Sequence, residues 1–233
     1  MQYKAFTLAE VLITLGIIGV IAAMTLPTLI QNHRNNVVET RLKKFYTVFN
    51  QAIQFAEAQY GDKKSWYIDV SGVDIDDEGN PILSTSEIDK WFNKYLTQFI
   101  VIKRKADKNG RLLYYLPDGS AFQLGVQGNP SLRDIYFYPG NPEKCQGNDK
   151  EMVGRCVWKF EYKPDSNSSG WKYGYNKGLE PFFAGWDGTE NMLKTDSIRG
   201  CYVESATLKS YCTKLIQLNG WEIPDDYPWK VTY

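Results

Sequence analysis

Histidine is nearly absent from this sequence, because the 233 residues include only one, His33. Catalysis by a serine nucleophile normally requires a histidine base, and His33 lies beside Arg34 after a long apolar run. Phosphate-binding loops are also lacking, since the chain has neither G-x-x-x-x-G-K nor a G-x-G-x-x-G that follows a strand pattern. No spacing of carboxylates indicates glycoside hydrolysis. The sequence therefore predicts a protein that is not an enzyme and takes no cofactor.

An excess of charge of either sign is lacking as well. Lysine plus arginine total 27, as do aspartate plus glutamate, so the formal net charge is zero. Proteins that bind duplex nucleic acid normally carry a basic excess, so no nucleic-acid partner is expected. A length of 233 residues suits one ordinary domain with an extension and can bury a substantial core.

The four cysteines form no C-x-x-C pattern of the kind found in zinc and redox sites. A zinc site would need all four cysteines, because His33 is the one imidazole, and the wide spacings argue against it. The alternatives are two local disulfides in an oxidising compartment or four buried thiols in a cytosolic protein. The disulfides are favoured, with two pairs of equal spacing: Cys145/Cys156 and Cys201/Cys212.

A long apolar run dominates the N-terminus. Residues 11–30 carry no charge, which is about the 20 residues that a helix needs to cross a hydrocarbon core of roughly 30 Å. The run is compatible with a cleaved secretory signal, with the anchor of an unrelated periplasmic protein, or with a buried helix of a soluble protein. The flanking basic residues do not decide the orientation, since Lys4 stands alone on one side while several follow on the other.

Glu10 distinguishes between these interpretations of the apolar run. A carboxylate at the edge of an apolar span is costly unless it lies at the interface or finds a partner, and a secretory signal has no use for it. The order Lys4, Ala5, Phe6-Thr-Leu-x-Glu10 and an apolar helix resembles the class III signal of type IV prepilins and type II secretion pseudopilins. Lys4 matches the basic leader and Ala5 the small residue before the cut, where glycine is usual.

The resemblance implies how the chain is processed and assembled. It implies cleavage after Ala5 by a prepilin peptidase and N-methylation of Phe6. Glu10 would then pair with the Phe6 amine of a neighbouring subunit, and Pro27 would bend or weaken the helix. The partners so implied are other pilin or pseudopilin subunits, an inner-membrane assembly platform and the bacterial inner membrane, with a periplasmic head.

An amphipathic stripe extends the helix beyond the apolar run. Apolar residues recur at steps of three and four, and Gly61 ends the pattern. We predict a leader at 1–5, a transmembrane helix at 6–30, an amphipathic helix at 31–60 and a head at 61–233. The stripe that would dock on the head contains Val38, Leu42, Phe45, Phe49, Ala52 and Ala56.

The remainder of the chain predicts an α+β head, in which the long helix packs on an antiparallel sheet as in pilins. A capping-box pattern at Ser86 opens a helix that runs through Phe99. Residues 163–195 are expected to be loop, and a short helix is expected near 211–218, within a disulfide-bounded end like that of many pilins. Strands are predicted at Arg111–Leu116, Ala121–Val126, Ile135–Tyr138 and Val157–Tyr162.

An acidic stretch gives a weak calcium candidate. Asp74, Asp76 and Glu78 provide oxygen ligands, but the stretch lacks the full twelve-residue loop with its terminal glutamate. A solvated loop is the favoured interpretation, so no metal site is expected.

Three functions remain open on the sequence. The chain could be a pseudopilin of a type II secretion system, or a pilin of a surface filament. A membrane-anchored periplasmic binding module that never polymerises is the alternative from another class. The module predicts that Glu10 is dispensable, whereas a filament subunit needs it for assembly.

Overall fold

The structure is a computed structural model that describes residues 7–67, 77–78, 87–108, 111–125, 133–162, 164 and 178–233. Helices are α1 Leu8–Tyr60, α2 Lys63–Tyr67, α3 Glu87–Tyr95, α4 Asp149–Met152, α5 Glu190–Thr195 and α6 Cys212–Leu218. Strands are β1 Arg104–Lys108, β2 Arg111–Tyr115, β3 Ala121–Leu124, β4 Arg133–Tyr138, β5 Trp158–Tyr162 and β6 Leu179–Pro181. Two 3₁₀ turns lie at Thr97–Phe99 and Pro142–Lys144.

Helix α1 runs without interruption for 53 residues. Its C-terminal stop is Gly61, whose φ of 82° is costly for residues with a Cβ. The whole predicted stripe is buried, which confirms the amphipathic helix, and Ile53 joins it. The helix itself ends at Tyr60.

The sheet has six antiparallel strands in sequence order, β1 to β6. Alternation divides its side chains between two faces, as the period of two requires. Tyr114, Phe122 and Phe137 lie on the face that packs against α1. The other face is covered by residues of the segment 142–157. The expected α+β architecture, with a long helix on an antiparallel sheet, is therefore confirmed.

The four predicted strands are all present, but two strands escaped prediction. β1 (Arg104–Lys108) is highly charged, so it has no apolar alternation to mark it. β6 (Leu179–Pro181) lies inside the segment 163–195 that was expected to be loop, as does helix α5. That loop prediction is wrong for these stretches, because contacts with distant residues stabilise them. Ser86 and its capping box lie outside the described residues, although α3 begins at Glu87.

Phe45 lies at the centre of the core between α1 and the sheet. Its ring centroid is 4.2 Å from that of Phe137 and 5.3 Å from that of Phe160. It also lies 5.5 Å from the ring of Phe49 and from the ring of Phe122. Aromatic pairs at such distances add stability beyond the area that they bury. Strands β3, β4 and β5 are therefore packed on α1 through this ring cluster.

The turn between β2 and β3 is tied to α1 by charge. Lys44 Nζ lies 2.8 Å from Asp118 Oδ2, and the Arg41 guanidinium donates to the carbonyls of Asp118 and Pro139. Partial burial raises the pKa of Asp118, but hydrogen bonds from Lys44 and Ser120 outweigh it and hold that pKa at about 2. The carboxylate thus joins the turn to the helix.

We expect Asp118→Asn to lower stability by about 0.5–1 kcal/mol at neutral pH, a modest amount because both partners are partly exposed. The folded-state pKa of Asp118 is below its unfolded value of about 3.9, so its contribution is complete above that pH and disappears as pH falls towards 2. Thermal unfolding of the full chain from pH 7 to pH 2 measures the difference. Wild type and variant should converge at the acidic end, and Asp225→Asn, an exposed carboxylate, should follow wild type. A constant gap at all pH values would contradict the assignment.

The four cysteines form the two local disulfides, Cys145–Cys156 and Cys201–Cys212, each with a sequence separation of 11. The alternative of four free thiols is therefore wrong. Each bridge closes a short loop, for which about 2–4 kcal/mol of stabilisation is typical. Helix α6 spans Cys212–Leu218, close to the short helix expected near 211–218.

The C-terminal tail, residues 221–233, packs against the molecule instead of extending freely over it. Val231 is fully buried and Ile223 nearly so. The backbone N–H of Ile223 donates to Glu39 of α1 at 2.8 Å, and the N–H of Thr232 donates to the Arg155 carbonyl at 2.8 Å. The tail therefore bridges the long helix and the loop closed by the first disulfide.

Candidate assembly site on the N-terminal helix

The first part of α1, Leu8–Ile30, has almost nothing packed on it, and we call it the stem. Its large apolar side chains are 42 to 78% exposed. At 1.5 Å per residue the stem is about 35 Å long, comparable with a hydrocarbon core of roughly 30 Å. Among the described residues, α1 is the one helix that is long and apolar enough to cross a membrane. The exposed residues are Leu8, Val11, Leu12, Ile13, Leu15, Ile17, Ile18, Val20, Ile21, Met24, Leu26, Leu29 and Ile30.

Apolar surface of this extent is unfavourable in water. Each buried CH₂ is worth roughly 0.8 kcal/mol, and soluble monomers rarely expose contiguous apolar patches of this extent. Within the described part of the chain, the head packs against α1 at the buried positions from Val38 to Ala56 and not along the stem. This surface is compatible with a bilayer or with contacts to other chains.

Glu10 is the one charged residue of the stem, and its neighbour Thr7 caps the helix with it. The backbone N–H and the hydroxyl of Thr7 each donate to Glu10 Oε2 at 2.8 Å. In return, the Glu10 backbone N–H donates to the Thr7 hydroxyl at 3.3 Å. This reciprocal pair is a capping box, which satisfies helix N–H groups that have no intrahelical partner. Glu10 therefore serves the helix end as well as carrying charge.

Thr7 is a functional residue that the sequence analysis did not single out. The signal was present, because Thr7-Leu8-Ala9-Glu10 is the T-x-x-E pattern of a capping box. Both hydrogen bonds to the Glu10 carboxylate come from Thr7, and among the described residues Glu10 forms no ion pair with a basic group.

Pro27 lies inside α1 near the end of the stem, as predicted. Proline lacks the N–H that would bond to the carbonyl four residues earlier, so one turn of the helix is weaker there. The helix nevertheless continues through Pro27 into the head. Pro27 therefore weakens α1 locally without breaking it.

Immediately after the stem, α1 contacts the C-terminal tail. Gln31 Nε2 donates to the Val231 carbonyl at 3.3 Å, and the rings of His33 and Tyr233 lie 6.4 Å apart edge to face. The Arg41 guanidinium lies 5.6 Å from the centre of the Tyr233 ring. His33 therefore takes part in the junction between helix and tail.

Several predicted residues cannot be placed. Ala5 and Phe6, where cleavage and methylation were predicted, lie outside the described residues, as do Asp74 and Asp76 of the calcium candidate. Glu78 is described and exposed. Among the described residues, no group of three or more His, Cys, Asp or Glu side chains could hold a metal ion.

Comparison with known families agrees with this geometry. Residues 1–26 match the prokaryotic N-terminal methylation motif, and a 53-residue helix follows. The class of protein is therefore type IV pilin-like, and the resemblance drawn from Lys4 to Glu10 is confirmed.

Most of the remaining chain has a family of its own. Residues 28–231 match the family of unknown function DUF6613, and the chain belongs to that family. No curated protein and no solved structure matches the chain.

Proposed function

We propose that this chain is a structural subunit of a type IV pilus-like or type II secretion filament. A prepilin peptidase removes residues 1–5, Phe6 becomes the N-methylated terminus, and subunits polymerise through the stem. The proposed organisation is a leader at 1–5, a membrane-spanning and later filament-forming segment at 6–30, an amphipathic segment at 31–60 and a head at 61–233.

The uncovered stem is the observation that carries this proposal. Its exposed apolar side chains and its single charge suit two successive environments, first a bilayer and then a bundle of identical stems. A stem that passes from lipid into a bundle keeps its apolar surface out of water throughout. The transfer therefore depends on packing and on polar contacts between stems, as in other membrane helices.

Glu10 supplies the polar contact. Cleavage after Ala5 leaves a protonated amine on Phe6, and an isolated charge in a low-dielectric setting is costly. Pairing that amine with Glu10 of a neighbouring subunit relieves the cost for both groups. Because Glu10 already accepts two hydrogen bonds from Thr7, its carboxylate is oriented at the helix end before a neighbour arrives.

The proposed location is the bacterial inner membrane, crossed once, with the head in the periplasm until assembly. The two disulfides support an oxidising compartment for the head. Prepilin peptidase, other pilin or pseudopilin subunits and an inner-membrane assembly platform are the proposed partners. Any ATPase that drives assembly is then a separate protein, since the sequence has no phosphate-binding loop.

Mass spectrometry of the mature N-terminus from membranes of the native host tests the processing step. We expect a chain that begins with N-methylated Phe6, because Ala5 provides the small residue before the cut and Glu10 the acidic residue after it. Ala5→Gly, the usual residue of the family, should be processed at the same bond, whereas a bulky Ala5→Leu should remain uncut. An intact Met1 would contradict the proposal and leave an anchored protein. A terminus near Ala23, as cleavage of a secretory signal would produce, would contradict it too and leave a secreted protein.

A further inference from the structure

Two cations lie over one ring of the tail. The guanidinium carbon of Arg155 is 4.6 Å from the centre of the Trp229 ring, and Lys209 Nζ is 3.7 Å from it. The indole N–H of Trp229 donates to the Cys201 carbonyl at 2.7 Å. Tryptophan is the aromatic side chain that binds cations best, and desolvation strengthens the contact. Trp229 therefore gathers three contacts from other parts of the head.

The two cations belong to different disulfide loops. Arg155 lies within the loop closed by Cys145–Cys156, and Lys209 lies within the loop closed by Cys201–Cys212. The carbonyl that accepts from Trp229 belongs to Cys201 itself. Trp229 thus contacts both disulfide loops.

The backbone around this contact is held in an uncommon conformation. Lys209 has a φ of 44° and Trp221 a φ of 71°, and among the described residues these are the non-glycine residues with positive φ. Such a φ is costly for side chains with a Cβ and persists where surrounding contacts fix it. Lys209 is also almost fully buried, and burial lowers the pKa of its amine. One strained residue supplies a cation to Trp229 and the other starts the tail.

The other side of the tail holds the long helix. Glu39 accepts from the Ile223 N–H, Gln31 donates to the Val231 carbonyl, and the Tyr46 ring lies 5.0 Å from that of Trp221. These contacts span the part of α1 that immediately follows the stem. A tail fixed through Trp229 therefore also fixes α1 where it leaves the head.

We propose that the tail, residues 221–233, is a latch that locks the base of the long helix to the head, and that Trp229 closes it over Arg155 and Lys209. Because each cation lies on a disulfide loop, the latch closes only when both loops have formed. In a chain with an open loop, residues 31–41 of α1 would lose the hydrogen bonds that join Gln31 and Glu39 to the tail. This inference concerns the single chain and does not depend on polymerisation.

Hydrogen–deuterium exchange of the full chain in detergent tests the latch. We expect Trp229→Ala to exchange about tenfold faster in peptides from 222–233 and from 31–41, since two cation contacts and a hydrogen bond are lost. Trp229→Phe keeps a ring for the cations and should lie between the two. Peptides from β3 and β4 should not change. Arg104→Gln, which removes a cation 3.5 Å from the Tyr115 ring elsewhere in the head, is the matched control and should match wild type.

Reduction of the two disulfides provides a second test of the latch. Dithiothreitol converts each disulfide into two thiols and is itself oxidised to its cyclic disulfide, so no further oxidant or reductant is needed. The reduced wild-type chain should show the same faster exchange in the tail and in residues 31–41. Unchanged exchange in either arm would overturn the proposal. Faster exchange confined to the tail, or spread evenly over the head, would overturn it too, because the tail would then not hold the helix specifically.

Discussion

Glu10→Ala is expected to abolish filament formation while the chain still inserts in the membrane. The substitution removes the single charge of the stem, so the Phe6 amine of a neighbouring subunit loses its partner and remains a buried, unpaired charge. Breaking a buried pair by removing one partner typically costs about 3–5 kcal/mol, which at each subunit contact is enough to prevent polymerisation. Shearing of filaments from cells, followed by immunoblotting of filament and membrane fractions, measures the result.

Two further variants separate the charge of Glu10 from its role as a cap. Glu10→Gln keeps a side chain that can complete the capping box with Thr7 but has no charge, so it should fail like alanine. Thr7→Val keeps the charge and removes the hydroxyl, at a cost of about 1 kcal/mol for a lost cap, so filaments should be fewer but present. Normal filaments from Glu10→Gln would show that capping, not charge, is what assembly requires. Normal function of the cell without any filament would favour the binding module that never polymerises.

Phe45→Ala is expected to give the largest loss of stability in the head. The ring contacts four other phenylalanine rings, and truncation of a buried phenylalanine costs about 3–5 kcal/mol. For a chain of this size that corresponds to a Tm lower by roughly 10 °C. Thermal unfolding of the full chain in detergent, followed by near-ultraviolet circular dichroism, measures the shift.

Phe55→Ala is the matched control for that measurement. Phe55 lies on the same helix but is 60% exposed, whereas Phe45 is buried. Both substitutions replace phenylalanine by alanine within α1, so the change in helix propensity is the same and the difference reports burial. Phe55→Ala should change stability by less than about 1 kcal/mol. Equal losses from both variants would contradict the assignment of Phe45 to the centre of the core.

The sequence predicted the features that depend on local periodicity. The stripe from Val38 to Ala56 follows from helix geometry alone, because residues three and four apart share a face. Strands β2 and β3 followed from two short runs of aromatic and aliphatic side chains. The local sequence of each element is enough to predict it, without knowing which other elements pack against it.

Strand β6 could not be predicted, because a distant residue stabilises it. Asn50 of α1 accepts a hydrogen bond from the Leu179 N–H and donates to the Leu179 carbonyl, both at 2.9 Å. This side chain binds a strand that is far away in sequence, so three residues ending in Pro181 form a strand without any local pattern. A search of the neighbouring sequence cannot reveal such a contact.

The assembly site was predictable in part. Glu10 attracted attention because a carboxylate in an apolar span is costly, and that argument needs no structure. Thr7 has an equally local signal, the T-x-x-E pattern, but its meaning depends on the helix starting at Leu8. The contacts of the Trp229 ring could not be predicted from the sequence, because Arg155 and Lys209 reach it from separate loops.

The continuity of α1 determines how the molecule carries mechanical load. A pull on the head reaches the stem through one unbroken backbone of 53 residues, with no hinge loop between the two parts. Pro27, with one hydrogen bond fewer, is the point at which such a rod yields first. A fibre made of these chains would therefore stretch at its stems before any head unfolds.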